Sequence, residues 1–310
     1  MVCSDTNWAA IMAISSLVLA SVARASPSWV ILDVRRYMRR ISGVTHLLNT
    51  NLKVTYMLKS TSISKADARR WGFSVMSSID NPKASKATAY GYLNAILYMA
   101  PADSADGTFN LCPNAGPCKD VCLGRESGQA AIRKEGEENS TTRARAARAI
   151  AYMRDRKVFL DYVVKDIKRL RKHAKRLRLK LVYRFNGSTD VAVPTWLIET
   201  FPDVVFIDYT KNPNRMSQYL AGKFPANYHL TFSRDVHNER LAERFLTQGG
   251  NVAVVFAQRP ITWRKFPVIN GDMHDIRTPD MDGRGVVVGL TPKGNKAKSN
   301  FSGFVVREAA

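Results

Sequence analysis

Three cysteines, Cys112, Cys118 and Cys122, lie within eleven residues of a chain that has four in all. Thiols clustered this closely bind a metal, form a disulfide or carry redox chemistry. Their spacing is C-x5-C-x3-C, and the next histidine downstream is the distant His173. A structural zinc site normally takes four ligands and shows C-x2-4-C pairs, so zinc would be irregular here. A disulfide would use two of the thiols and strand the third. An iron–sulfur cluster is held by thiolates, and one with three protein ligands keeps an iron open to a substrate or cofactor. Three outcomes stay open: a [4Fe–4S] cluster, zinc, and uncomplexed or redox-active thiols.

The segments that must position this trio are short and apolar. Residues 94–101 read as a buried strand, and the cysteine loop follows directly. Residues 130–180 read as one or two long helices, with Phe159, Val163, Val164, Ile167, Leu170 and Ala174 forming an apolar stripe beneath a basic exterior. Four apolar runs then recur about every twenty residues, at 181–185, 204–209, 228–232 and 251–256, with helix-like stretches at 194–200, 214–220 and 236–248 between them. Gly249 and Gly250 suit the end of the last helix. Residues 286–290 and 304–306 offer one or two more strands. Strands alternating with helices predict an α/β fold whose βα units form a mostly parallel sheet.

In parallel sheets, ligands bind at the carboxyl ends of the strands, and polar residues cluster there in this chain. Arg184, Asn186 and Asp190 follow one strand, Asp208 and Lys211 the next, and Ser233 and Arg234 the one after. Asp190, Asp208 and Lys211 are the catalytic candidates; Arg184, Asn186 and Ser233 are candidates for holding a cofactor or a small polar substrate. Turn formation and helix capping compete as the reason for Ser188, Asn212 and Ser233. The charged groups are harder to explain that way, because charge near a sheet edge is costly unless paired or bound. The stretch from Asp272 to Asp275 could be a second metal or acid–base site, but the favoured reading is that its carboxylates pair with Arg277.

The 310 residues carry a formal charge of +21, which favours polyanionic partners and says nothing about fold. Residues 133–180 hold 17 Lys and Arg against 6 Asp and Glu, so Arg143–Lys180 is the candidate nucleic-acid-binding region. A solvated helical face is the plainer alternative. Residues 8–23 form an uncharged apolar run, a little short for a membrane span. They lack the positive flank of a secretory signal, with Asp5 ahead of them. Residues 1–60 are therefore expected to be an extension outside the core, read as an over-long start with Met57 as the real one, with a secretory signal or membrane anchor as the alternative. Residues 61–310 are expected to form a single α/β domain.

A cysteine loop after the first strand of a βα series resembles the radical S-adenosylmethionine enzymes. That resemblance implies a partial (β/α)6 TIM-like barrel, a [4Fe–4S] cluster on Cys112, Cys118 and Cys122, and S-adenosylmethionine on the open iron. The usual motif there is C-x3-C-x2-C, from which this chain departs. A closer resemblance, to the phage gene product 88 family, rests on several motifs in order: residues 97–101, 110–115, 184–190, 206–211, 227–233, 251–256, 270–277 and 289–294. Phe185, the order Ser188–Thr189 and Asn270 depart from that family's pattern. The resemblance implies a phage or prophage origin and a host cytoplasmic setting, and it brings no reaction with it. The expected function is an iron–sulfur-dependent enzyme, the alternative a nucleic-acid-binding protein with a structural zinc.

Overall fold

A computed structural model describes residues 76–80, 82–126 and 139–307. The expectations for residues 1–60 lie outside them. All described residues belong to one unit, Met57–Ala310.

The strands are β1 (Ser77–Ser78), β2 (Tyr92–Leu97), β3 (Lys180–Arg184), β4 (Val205–Thr210), β5 (Tyr228–Ser233), β6 (Val252–Phe256), β7 (Thr262–Trp263), β8 (Phe266–Asn270), β9 (Val287–Leu290) and β10 (Val305–Val306). They form one ten-stranded sheet in the order β1-β2-β3-β4-β5-β6-β9-β8-β7, with β10 beside β6. Among the described residues only β1–β2 and β7–β8 pair antiparallel. From β2 to β6 the strands lie side by side in chain order, and the intervening crossovers carry the principal helices: α1 (Ser140–Arg154), α2 (Arg156–Arg176), α3 (Thr195–Glu199), α4 (Pro213–Leu220) and α5 (Glu239–Thr247). Right-handed crossovers between neighbours in sequence put these helices on one face. The mostly parallel α/β sheet is as the apolar runs predict. Among the described residues it is open, since β1 and β7 end the path without meeting.

The two faces are filled differently. On the helix side, Phe185 meets Tyr152 and Phe159 of α1 and α2, with ring centroids 6.2 and 6.4 Å apart. The α2 stripe buries Phe159, Leu160, Val163, Ile167, Leu170 and Ala174; Val164 is only half-buried, so Leu160 takes the place expected for it. Asp155 ends α1 and caps α2 by accepting from the Val158 amide at 3.3 Å, which splits the long basic stretch in two. On the opposite face, Val182 of β3 and Ile207 of β4 pack with Ala87 and Ile276. Residues 272–282 thus cover that side, which explains why both faces of the central strands are apolar. No helix among the described residues is long and apolar enough to cross a membrane.

Candidate functional site

The loop after β2 is shaped by backbone turns before any thiol is placed. Ala102 takes a positive φ of 49° and accepts from the Leu111 amide at 2.9 Å. Its own N–H donates to Cys112 Sγ at 3.3 Å. A short 3-10 helix, Gly116–Lys119, carries Cys118, whose thiol donates to the Ala115 carbonyl at 2.7 Å. Cys122 Sγ accepts from the Gly124 amide at 3.4 Å. Gly124 is required here, because a Cβ would sit 2.8 Å from Pro101 Cγ and 2.9 Å from Ser188 Cβ. Helix α1 supports the loop from behind: Arg145 donates to the Gly124 carbonyl at 2.9 Å and stacks on Tyr98, and Arg148 donates to the Tyr98 carbonyl at 2.7 Å.

The loop after β3 forms the facing wall. Asn186 donates from its backbone and its side chain to Asp208, at 2.8 and 3.1 Å. Its side-chain oxygen, Oδ1, accepts from Thr189 Oγ1 and the Val191 amide. Residues 187–191 are thereby folded over the strand ends and tied to the cysteine loop. The Asp190 amide donates to the Leu111 carbonyl at 2.9 Å, Ser188 Oγ to the Met99 carbonyl at 2.6 Å, and the Cys112 thiol lies 3.7 Å from the Ser188 carbonyl. The Asp190 carboxylate accepts from Thr210 Oγ1, the Lys211 amide and Arg215, each at 2.8 Å. Lys211 reaches across to Asp235 at 2.6 Å.

These walls enclose a cavity of about 150 Å³ at the carboxyl ends of β3, β4 and β5, lined by all three cysteines together with Asp190, Lys211 and Ser233. Six of the nine candidate metal, catalytic and cofactor-binding residues therefore meet. Arg184, Asn186 and Asp208 do not line it. Arg184 lies on the opposite face of β3, stacked on Tyr209 and 3.3 Å from Asp275. Asp208, 1 % exposed, is spent on Asn186. Their part is to fix strand ends. Sequence reasoning also passed over Lys119, Tyr209, Thr210 and Asp235. Asp235 stands one residue beyond Arg234 and would have been reached by following that strand end as far as the others. The 272–275 carboxylates are paired, as favoured, but not with Arg277: Asp272 takes Lys293 at 2.8 Å and Asp275 takes Arg184. Arg277 instead meets Asp282 at 3.2 Å and donates to the His274 carbonyl.

Burial sets the state of the thiols. It pushes Cys112 up to about 12, against the lowering effect of the Ala102 amide. It pushes Cys118 up to about 11, with Lys211 pulling the other way. Thiols this basic are protonated at neutral pH and make poor nucleophiles, which counts against a bare redox or covalent role. A bound cation is what would ionise them. The cysteines are unbridged. Among the described residues, no group of three or more His, Cys, Asp or Glu is arranged to hold a metal ion. A single tetrahedral zinc, with Zn–S of about 2.3 Å, needs its thiolates drawn onto one point. Here the three thiols line one cavity.

Fold and site together define an α/β protein with a thiol-lined cavity at the carboxyl edge of a parallel sheet. Residues 71–308 match the family described as Gene product 88, and the chain belongs to that family. No curated protein and no solved structure matches it, so the likeness to radical S-adenosylmethionine enzymes has no relative to support it.

Proposed function

We propose that this protein is an enzyme in which Cys112, Cys118 and Cys122 hold an iron–sulfur cluster and a small polar substrate binds beside it. The observation that carries this reading is that one loop delivers three thiols to the same cavity as Asp190, Lys211 and Ser233. A [4Fe–4S] cluster bound there would supply a one-electron couple and, with three protein thiolates, an iron open to a ligand. S-adenosylmethionine as that ligand, and the sequential strands as an opened (β/α) barrel, are finer parts of the same reading.

The chain's own groups do the rest. Lys211 favours ionisation of Cys118 and offers a cation to an anionic substrate group, and Asp235 fixes its position. Asp190, locked by three donors, is a rigid acceptor. Ser233 can donate or accept. Pro101, Ala102 and Ala115 form an apolar wall that limits water. Anaerobic purification tests the reading. A brown protein absorbing broadly at about 400 nm and bleaching on reduction, with about four iron and four sulfide per chain, is expected. A colourless protein with stoichiometric zinc would overturn it.

A further inference from the structure

The basic stretch from residue 143 to residue 180 serves two separate purposes. In α1, Arg145 and Arg148 face the fold and hold the cysteine loop, while Arg154 pairs with Asp106 at 3.0 Å. The last turns of α2 and the turn into β3 are different. There Lys168, Lys172, Lys175, Arg178 and Lys180 are all exposed and line an open groove of about 990 Å³. Its floor is Ala174, Leu179 and Leu181, and the one acidic residue among its described lining, Asp203, is taken by Arg171 at 2.8 Å.

Two features exceed what a solvated helix needs. Lys168, Lys172 and Lys175 recur at four- and three-residue spacing on one stripe, where like charges repel. Favourable interaction with the helix dipole accounts for cations in the last turn only. Then Arg178 holds φ of 58° at the helix terminus. The Leu179 amide donates to the Ala174 carbonyl and the Arg178 amide to the Lys175 carbonyl, which is the Schellman pattern with Arg where glycine is the usual choice. A cation is thus kept at a strained position on the groove's rim.

We infer that this groove binds the phosphate backbone of a nucleic acid without reading its sequence. A concave row of cations with a sunken apolar floor suits a polyanionic strand. A membrane surface would instead be met by apolar side chains standing proud of the cations. Among the described residues no aromatic side chain lines the groove, so the inference does not draw on base stacking, the other source of single-strand affinity. The groove lies where β3 begins at Lys180, and the thiol cavity where β3 has ended. Binding there is independent of the proposed cluster and anchors the protein rather than delivering a base to the thiols.

The test uses the full chain and a fluorescein-labelled 20-nucleotide DNA, with anisotropy read across a salt series. Binding that weakens as salt rises is expected, log K falling against log salt by about 0.7–0.9 per phosphate contacted. Lys168→Glu/Lys172→Glu/Lys175→Glu should weaken binding at least tenfold and flatten the slope by about two to three. A control with equal charge change elsewhere, Lys223→Glu/Arg240→Glu/Lys298→Glu, should lose far less. No binding by the unaltered protein at low salt, an equal loss in the control, an unaffected groove variant, or stronger binding to phosphatidylserine vesicles than to DNA would each overturn the inference.

Discussion

Replacing Asp208 by asparagine should change how stability depends on pH. Burial pushes this carboxyl from 3.8 up to about 7, against the lowering effect of the Asn186 amides and of Arg184. Between those two values the folded protein keeps a proton that the unfolded chain has released. Stability from this group is therefore fully present below about pH 4, declines as pH rises, and is gone above about pH 7. At 1.36 kcal/mol per unit, the span is on the order of 4 kcal/mol, or roughly 10 °C in Tm for a domain of this size. Asp208→Asn is uncharged throughout and removes that slope. It has its own cost. Asn186 cannot turn its amide, because its oxygen already serves Thr189 and Val191, so one new N–H must face the Asn186 donor, costing about 1–3 kcal/mol. The variant should melt below the unaltered protein at about pH 4, lose that deficit as pH rises through 5 and 6, and melt above it by pH 8. Thermal melts followed by circular dichroism at constant ionic strength check this. A gap of constant size from pH 5 to pH 8 would refute the assignment of a buried, protonated carboxyl.

Exchanging any one of Cys112, Cys118 or Cys122 for serine should cut iron and sulfide after anaerobic purification to a small fraction, while far-ultraviolet dichroism stays unchanged. Because burial pushes the Cys112 and Cys118 thiols up, reconstitution with iron and sulfide should be more complete at pH 8.5 than at pH 6.5. Gly124→Ala drives a methyl group against Pro101 and Ser188 and should cost about 1–3 kcal/mol, read as a lower Tm. Asp190→Ala leaves Arg215 unpaired and nearly buried and should cost about 3 kcal/mol, detectable by urea denaturation. Arg178→Gly should raise Tm slightly, by up to about 1 kcal/mol, while weakening DNA binding; if both fall together, the strained arginine has a structural role instead.

The central strands and principal helices were legible because each is a continuous apolar run or a three-to-four-residue stripe set between turn residues. Strand β8 was not. Its second residue is Pro267, and it follows the positive-φ pair Arg264 and Lys265, so a reading by composition ends the sheet too early. The thiols, Asp190, Lys211 and Ser233 were legible as a group because loops at one edge of a parallel sheet converge. Arg184 and Asp208 lie outside the cavity for a specific reason. Successive side chains on a strand point to opposite faces, and with apolar residues on both faces of β3 and β4 nothing in the sequence marks which face looks where. The division of the basic region was hidden likewise. Arg145 and Arg148 are set apart from Lys168 and Lys172 by what packs against them, which their positions in a uniformly basic stretch do not reveal.

The stitching of the cysteine loop also sets the order in which the protein can be made. Cys112 is tied to a carbonyl 76 residues later, and Ser188 to one 89 residues earlier. A chain leaving the ribosome amino end first, at about 5–20 residues per second, exports all three thiols several seconds before the segment that walls them in. Both long basic helices are produced in that interval. The cysteines are thus most accessible to metal, and to oxidation, while translation is still under way, and closure of the loop after β3 brings that period to an end.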